Sequence, residues 1–302
     1  MKKRWIALCV FVLIAAMLFG CGKSGGTTGG SAPAAPGGSA PATTPGGSAP
    51  ATTPGGTPAA GSDLAYVKQQ GELKIGITIY EPMNYYDANG KLIGFDTEFA
   101  QAVCKNLGVT PKFIEINWDT KEVELSAKNI DCIWNGFTIT DDRKQSIAFS
   151  DPYIRNRQVA VIRAKDADKY KTTADMVNAN IVAEQGSAGE TAVQDDPSLK
   201  NAPYTAIDKQ TDTLMEIKAG TADVAVLDYT LANSMVGPNT SYSDLMVVPN
   251  LALTAEEYGV GFRLGSDIVP AVNDQIKALT ADGTLDTIAK KYDLTALLIS
   301  NQ

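Results

Sequence analysis

The sequence predicts an α/β protein, because segments with the signals of strands and helices alternate along most of its 302 residues. Residues 73–79 alternate apolar and polar side chains, as a half-buried strand does. From Phe95 onward, apolar residues recur every four positions until Gly108, which indicates an amphipathic helix and its end. The apolar run at 224–227 ends at Asp228 and is typical of a parallel strand buried on both faces.

The same alternation continues through the rest of the body and supports this fold class. Further strands are predicted at 113–116, 131–134, 158–162, 181–183 and 258–262. One helix is expected after Trp118, with Val123 and Leu125 facing inward, and another ends at Gly220. Two terminal helices, around 269–280 and 285–292, are separated by a turn. A hydrophobic content of 44% is enough for a full core.

The amino terminus has the pattern of an export signal. Three basic residues precede an apolar run at 5–19, whose length of about 15 residues is short for a transmembrane helix. Residues 18–21, Leu-Phe-Gly-Cys, resemble the lipobox of bacterial lipoproteins, although Phe19 stands where that pattern prefers a small residue. The resemblance implies a signal peptide at 1–20 and acylation of Cys21, with palmitate in the lipid anchor. An ordinary secretory signal or an uncleaved anchor is the alternative.

Residues 21–62 are predicted to form a lipid-anchored, disordered linker. Between Cys21 and Asp63 the chain consists of Gly, Ser, Ala, Pro and Thr, with Lys23 as the only charged residue, and the stretch GGSAPATTP occurs twice in tandem. Such a segment buries too little apolar surface to offset the entropy of ordering it. We expect it to let the folded body move near a partner in the membrane.

Composition excludes several classes of function. The chain contains no His, so a Ser-His-Asp triad, a Cys-His pair and a His-ligated zinc site are impossible. The formal net charge of −8, without basic runs in the body, argues against nucleic acid as a partner. We expect no cofactor and no metal.

Five motifs follow one another along the body, and their order is more specific than any one of them. They are Tyr80-Glu81-Pro82 with residues 89–96 (NGKLIGFD), residues 130–131 leading to 136–143 (GFTITDDR), residues 149–153 (FSDPY), residues 218–223 (KAGTAD) ending at Asp228, and residues 258–262 (YGVGF) before 283–285.

Together the motifs resemble those of the extracytoplasmic solute-binding proteins for polar amino acids, which include binders of glutamine, histidine and lysine/arginine/ornithine. The resemblance implies a two-lobe, type II periplasmic-binding-protein-like fold, with a mostly parallel sheet flanked by helices in each lobe and two hinge strands. Lobe 1 would comprise 64–155 plus 254–302, and lobe 2 would comprise 156–253. The implied function is that of a monomeric substrate-binding subunit of an ABC importer. It would be anchored at the outer face of the cell membrane, bind a free amino acid and serve an ABC permease.

The resemblance also implies which residues grip the two charged ends of an amino acid. Arg143 would bind the carboxylate, because a guanidinium presents parallel N–H groups, and Asp228 would bind the ammonium from the end of its strand. Thr138, Ser187 and the backbone N–H of Ala188 would add donors. Arg143 could instead be a solvated residue at a helix start, and Asp228 a helix cap.

Other positions match residues that line the ligand in this family. Asn135 and Gly136 would do so partly through their backbone, while Tyr80 and Trp118 would enclose the ligand side chain or serve as ordinary core aromatics. Glu184 lies where the family varies its residue with the substrate, and an acid there could favour a cationic or amide side chain. Glu184 and Glu81 could equally be surface charges; Tyr85 and Gln185 are further candidates.

Cys104 and Cys132 are the cysteines of the exported body. Cys104 is predicted near the end of a helix, off its apolar face, and Cys132 at the start of a strand. A βα layer brings these two ends to the same side, so a disulfide is possible in an oxidising location. Two free thiols are the alternative.

Two other classes of function remain open from sequence. Some members of the implied fold are dehydratases or murein-cleaving enzymes, but these need a general acid or base, for which the cleft offers Glu81 or Glu184. A sensor module is usually followed by a transmembrane helix, and the segment around 297–299 has no such span. We therefore expect a binding protein, not an enzyme.

Overall fold

The computed structural model describes residues 61–301. The predicted signal peptide at 1–20, the lipid anchor at Cys21 and the linker up to residue 60 lie outside the described residues. Within them, Ser62 caps the first helix, since its Oγ accepts a hydrogen bond from the backbone N–H of Ala65 at 3.0 Å. No helix of this part of the chain is long and apolar enough to span a membrane.

Strands and helices alternate as the sequence predicts. The strands are β1 Glu72–Ile77, β2 Tyr85–Tyr86, β3 Leu92–Ile93, β4 Thr110–Glu115, β5 Cys132–Ile133, β6 Ile147–Phe149, β7 Ile154–Asn156, β8 Gln158–Arg163, β9 Ile181–Glu184, β10 Tyr204–Ile207, β11 Val224–Asp228, β12 Leu245–Ala252, β13 Glu256–Tyr258 and β14 Gly261–Arg263. The α-helices are α1 Asp63–Gln70, α2 Phe95–Leu107, α3 Lys121–Ser126, α4 Ala188–Asp195, α5 Gln210–Ala219, α6 Tyr229–Met235, α7 Ile268–Ala281 and α8 Thr284–Lys291.

Two five-stranded sheets organise the molecule, and they have the same plan. The first has the order β4-β1-β5-β14-β6 and the second the order β10-β9-β11-β8-β12. In each sheet three neighbouring strands are parallel, and the last two neighbours pair antiparallel. We call the half built on the first sheet the first lobe, and the half built on the second sheet the second lobe.

Helices cover the sheets because their apolar faces repeat at helical spacing. In α2, Phe95, Phe99 and Val103 are fully buried, and Gly108 ends the helix in a left-handed conformation. The ring of Phe99 meets that of Trp134 edge-on, with centroids 5.1 Å apart. The first lobe therefore has an aromatic core directly beneath its sheet.

The chain passes between the lobes through two adjacent strands. The strand β7 leads from the first lobe to the second, β13 leads back, and the two pair antiparallel, with Asn156 opposite Glu256 and Ile154 opposite Tyr258. Two crossing strands side by side form a hinge that holds the lobes at a fixed distance while allowing rotation.

One arginine in each lobe joins a strand end to the neighbouring helix. In the second lobe, Arg163 donates to the carbonyls of Ile217 and Ala222 and forms ion pairs with Asp166 and Asp223 at 2.6 and 2.7 Å. In the first lobe, Arg263 donates to the carbonyls of Leu125 and Ile130 and pairs with Asp63 and Asp131 at 3.1 and 3.4 Å.

Three details of the sequence prediction are wrong. Val123 is 63% exposed while Leu125 is buried, because residues two positions apart on a helix face different directions. The strand expected over 258–262 is divided between β13 and β14. Cys104 lies on the buried face of α2, not off it.

The two cysteines within residues 61–301 form no disulfide. Cys104 and Cys132 are both free and fully buried, and the Cys132 thiol faces the carbonyl of Lys74, with 4.0 Å between sulfur and oxygen. Of the two alternatives that the sequence left open, the structure has the free thiols.

Candidate functional site

A small cavity lies between the two lobes. All ten residues proposed from the sequence as ligand-binding line it, together with two that were not proposed. They are Thr78, Tyr80, Trp118, Asn135, Gly136, Thr138, Arg143, Glu184, Ser187, Ala188, Gln210 and Asp228. The structure thus brings side chains separated by up to 150 positions in sequence to one enclosed space.

The position of the cavity follows from the sheet topology. Thr78 follows β1, Asn135 follows β5, and Glu184 and Asp228 are the last residues of β9 and β11. These four strands run parallel within their sheets, so their carboxyl ends share one edge in each lobe. Residues at this edge of an open α/β sheet are the ones that reach a ligand.

Arg143 reaches across the cavity from the first lobe. It lies at the start of a short 3₁₀ turn, donates to the carbonyl of Thr138 at 2.8 Å and to that of Gly186 in the second lobe at 3.2 Å, and stacks on Phe137. Burial lowers the pKa of Arg143, yet a guanidinium stays charged. Within the described residues its hydrogen-bond partners are neutral carbonyls, and no carboxylate pairs with it.

Asp228 faces the cavity from the second lobe and is held by amide groups. Its carboxylate accepts hydrogen bonds from Asn156, from Gln158 at 2.7 Å and from Gln210 at 2.6 Å, and only 6% of the residue is exposed. These donors fix the carboxylate without neutralising its charge. In the described part of the chain, no Lys or Arg forms an ion pair with it.

A second acid lies behind Asp228 on the hinge. Glu256 in β13 accepts hydrogen bonds from Asn156 and Gln158, the same two amides that hold Asp228, and from the hydroxyl of Thr138 at 3.1 Å. Burial and the neighbouring Asp228 raise the pKa of Glu256. Asn156 and Gln158 therefore connect the hinge to the acid in the cavity.

Two aromatic residues form walls of the cavity. Tyr80 is almost fully buried, and its hydroxyl bonds to Thr230 in the second lobe and to Tyr258 at 2.8 Å. Trp118 is 6% exposed and meets Phe137 edge-on, with ring centroids 5.5 Å apart. Each aromatic ring therefore borders the cavity while also packing in the interior.

Asn135 and Gly136 are positioned by hydrogen bonds inside the first lobe. The Asn135 side chain accepts from the backbone and hydroxyl of Thr78 and donates to Asn84 at 2.7 Å. The backbone N–H of Gly136 donates to Asp96 at 2.6 Å. Gly136 has φ +56°, and a Cβ there would lie 2.6 Å from the ring of Tyr80, so glycine is required.

Ser187 and Ala188 open helix α4 at the cavity. The Ser187 Oγ accepts from the backbone N–H of Glu190 at 3.1 Å and so caps the helix, while its own hydroxyl hydrogen remains available. The first turn of α4, beginning at Ala188, presents backbone N–H groups at the positive end of the helix dipole. The preceding Gly186 has φ +69°, and a Cβ there would lie 3.2 Å from Asp119 in the first lobe.

The lobes are closed around the cavity. Besides Arg143, Lys121 donates from the first lobe to the carbonyl of Gly186 at 2.9 Å, and Gln185 donates from the second lobe to Asp119 at 3.2 Å. Ser234 donates to Glu81 at 3.0 Å on another part of the interface. Opening the cleft must break these bonds.

Three further candidates from the sequence do not line the cavity. Glu81 binds Ser234, Gln185 binds Asp119, and Tyr85 packs edge-on against Tyr292. Sequence reasoning missed Thr78 and Gln210, which do line it. Thr78 could have been found, because it lies near the end of the strand predicted over 73–79.

A comparison with protein families identifies the chain. The model of the bacterial extracellular solute-binding proteins, family 3, matches residues 73–295. The chain belongs to this family. It is 29% identical over 228 residues to the L-cystine-binding protein TcyJ of Escherichia coli, with 75% of this chain and 84% of the relative covered. It is 28% identical over 219 residues to the histidine-binding periplasmic protein of Salmonella typhimurium, with 70% and 84% covered.

Solved structures of this family share the fold. An amino acid ABC transporter substrate-binding protein from Streptococcus pneumoniae, bound to L-arginine, is 26% identical, with a TM-score of 0.70. The match covers 78% of this chain and 98% of that one. The fold is the two-lobe, type II arrangement of periplasmic binding proteins, as the motifs implied.

Proposed function

We propose that this protein is the substrate-binding subunit of an ABC importer and captures a free amino acid between its lobes. In this proposal Arg143 binds the α-carboxylate and Asp228 binds the α-ammonium. One observation carries the proposal: among the described residues, a cation without a carboxylate partner and an acid without a cationic partner line the same cavity from opposite lobes. A zwitterion supplies both missing charges.

The arrangement explains why ligand binding would favour the closed cleft. A ligand shifts a conformational equilibrium only if it binds one state more tightly than the other. A small zwitterion that contacts Arg143 in the first lobe and Asp228 in the second can make both contacts only when the lobes are together. Thr138, Ser187 and the N–H of Ala188 would complete the carboxylate site, while Asn135, Gly136, Tyr80 and Trp118 would surround the rest.

The relatives support this class of ligand. Their names describe binding of cystine and histidine, and the pneumococcal structure contains L-arginine. Each of these ligands has an α-carboxylate and an α-ammonium, whereas their side chains differ. Because these relatives are binding proteins, we propose that this chain also performs no chemistry, works as a monomer and delivers its ligand to a membrane permease.

The anchor and the lobe boundaries belong to the same proposal. We expect export directed by residues 1–20, acylation at Cys21, a linker to residue 62, a first lobe at 64–155 plus 254–302 and a second lobe at 156–253. Mass spectrometry of the mature protein should find a diacylglyceryl group on an amino-terminal Cys21. An unmodified Cys21 would contradict the lipid anchor without affecting the binding proposal.

A thermal-shift screen followed by calorimetry tests the binding proposal. The body from residue 62 onward is screened against the twenty amino acids, cystine and ornithine, and a ligand far above its Kd should raise the melting temperature. Arg143→Ala and Asp228→Ala should each weaken the best ligand by about 100-fold or more, because each leaves one charged end of the ligand buried and unpaired.

Lys144→Ala provides the matched control. Lys144 adjoins Arg143 in sequence but is exposed and pairs with Asp141 at 3.0 Å, so its removal should leave the affinity unchanged. Circular dichroism should show that all variants are folded. Wild-type affinity in Arg143→Ala or in Asp228→Ala would refute the clamp.

A further inference from the structure

The geometry of Glu184 points to the class of amino acid that is bound. We propose that the ligand carries a positively charged side chain and that Glu184 is the residue that selects it. This inference rests on the proposed function, because it places the ligand in the same cavity. It goes further by deciding between cationic, amide and disulfide-containing amino acids.

Glu184 has an unfilled hydrogen-bonding position inside the cavity. It is the last residue of β9, it lines the cavity and it is only 3% exposed. Its Oε1 atom is buried and has no hydrogen-bond partner in the part of the chain that the structure describes. A buried acceptor left unpaired is destabilising, and more so if it is charged. The site is therefore incomplete without a donor.

The protein's own cations do not supply that donor. Lys121, whose charge acts on Glu184, donates to the carbonyls of Trp118 and Gly186 at 3.1 and 2.9 Å. Arg143 donates to the carbonyls of Thr138 and Gly186. Among the described residues, neither forms an ion pair with Glu184. In this proposal the missing donor enters with the ligand.

A cationic side chain would balance the charges around the cavity once its acids are ionised. Arg143 and Lys121 are the cations, and Glu184, Asp228 and Glu256 are the acids. Full ionisation of all five groups would leave one negative charge in excess, whereas the raised pKa of Glu184 and of Glu256 keeps these two acids protonated near pH 7 until a cation stabilises the ionised form. A zwitterion that pairs with Arg143 and Asp228 leaves this excess unchanged. A cationic side chain removes it and places its charge beside Glu184.

The pKa of Glu184 is consistent with this assignment. Burial, followed by the neighbouring Asp228, raises the pKa of Glu184 to about 8. A cation placed against the carboxylate would lower that pKa again, because it stabilises the ionised form. Binding near pH 7.5 should therefore release protons. Trp118 and Tyr80 border the same space and can flank the methylenes or the cation of the side chain.

Matched pairs of ligands test the charge directly. Isothermal titration calorimetry should compare L-arginine with L-citrulline, and L-lysine with L-norleucine, because each pair differs in side-chain charge but little in length. The better cationic amino acid should bind at least about 100-fold more tightly than its neutral counterpart, because the neutral one leaves the buried carboxylate uncompensated. In Glu184→Gln, which keeps the size of the side chain, this ratio should fall to about tenfold or less.

A proton-release measurement separates selection by charge from a structural role of Glu184. Titration in two buffers of different ionisation enthalpy should show proton release in the wild type and much less in Glu184→Gln. The melting temperature of the unliganded variant reports whether it is folded, and Glu124→Gln, an acid on the surface of the first lobe, serves as the control.

The outcomes distinguish this inference from the proposed function. If a neutral amino acid binds tightly and loses affinity in Arg143→Ala, the proposed function stands and the cationic assignment is overturned. An unchanged arginine-to-citrulline ratio in Glu184→Gln would also overturn it. A protein that binds no amino acid at all would overturn both.

Discussion

Arg163 and Arg263 occupy equivalent places in the two lobes, and Arg143 in the cleft differs from both. Arg163 and Arg263 each donate to two backbone carbonyls and pair with two carboxylates of their own lobe. Arg143 also donates to two carbonyls, but no carboxylate of the described chain pairs with it. The backbone contacts are alike in all three sites, so the difference lies in the counter-charge.

That difference indicates what each charge is for. A partly buried guanidinium whose charge is matched within one lobe connects elements of that lobe, and its charge is not available to bind a ligand. A guanidinium that meets only neutral carbonyls keeps its charge available, and the fold bears the cost of burying it. The same contrast applies to acids: Asp131 and Asp223 pair with arginines, whereas Glu184 and Asp228 pair with no arginine of residues 61–301.

The largest expected effect is on stability. Arg163→Met and Arg263→Met should each lower the free energy of unfolding by about 2–4 kcal/mol, because each leaves two acids and two carbonyls without their partner. Arg143→Met should change it by less than about 1 kcal/mol, since no carboxylate of the fold loses a counter-charge. Urea denaturation followed by circular dichroism measures all three. Equal destabilisation by Arg143→Met would break the comparison.

The next effect concerns pH and a buried acid of the first lobe. Asp96 is fully buried, accepts hydrogen bonds from the N–H of Gly136 and the hydroxyl of Tyr153, and its pKa is raised by burial to about 7. Between about pH 4 and pH 7 the folded protein therefore holds a proton that the unfolded chain releases. This contribution to the unfolding free energy is present at low pH and is lost as the pH rises, by up to about 1.4 kcal/mol per pH unit.

Asp96→Asn isolates this contribution because the amide is never ionised. Its unfolding free energy relative to the wild type should rise steadily from pH 4.5 to pH 7, as measured by urea denaturation at several pH values. Ligand should not alter this difference, since Asp96 belongs to the fold. For Glu184→Gln, the pH-dependent difference in unfolding free energy between the variant and the wild type should shrink at saturating ligand. Parallel pH profiles for wild type and Asp96→Asn would rule the prediction out.

Much of the fold could be predicted because it is recorded in local patterns. The helix that begins at Phe95 and the buried strand that ends at Asp228 follow from spacing and apolar runs. The resemblance of the motifs identified Arg143 as a candidate binding residue, and Arg143 lines the cavity. Local patterns also mislead: Glu81 adjoins Tyr80 in sequence, but neighbouring side chains diverge, and Glu81 binds Ser234 instead. A short helix such as α3 gives too few apolar positions to orient Val123.

The amide groups that hold Asp228 could not be predicted from sequence. Asn156 lies on one hinge strand, Gln158 begins the next strand, and Gln210 opens a helix from a different part of the second lobe. Asn and Gln side chains are common on protein surfaces, so nothing local indicates burial. Only the packing of the hinge against the second sheet brings the three amides to one carboxylate.

A smaller effect is expected for one of these amides. Gln158 is 1% exposed and donates to both Asp228 and Glu256. Gln158→Leu should weaken ligand binding by about tenfold, because Asp228 loses one of its three amide donors and is held less firmly. The Arg143 side of the cavity stays intact, so the preference among ligands should not change. Calorimetry measures both, and a changed ligand preference would show that Gln158 contacts the ligand directly.

The smallest expected effect concerns the cysteines, which the second lobe lacks. Burial raises the pKa of the Cys104 thiol to about 12 and also raises that of Cys132, so both stay protonated and unreactive in the folded protein. A reducing agent should therefore leave the melting temperature unchanged, and a thiol reagent should label two groups after unfolding and none before. A bridge would instead stabilise the first lobe by about 3 kcal/mol, so a reductant would lower the melting temperature. That result would mean that a covalent bridge stabilises the first lobe, whereas the second lobe, which contains no Cys, is stabilised without one despite the shared sheet plan.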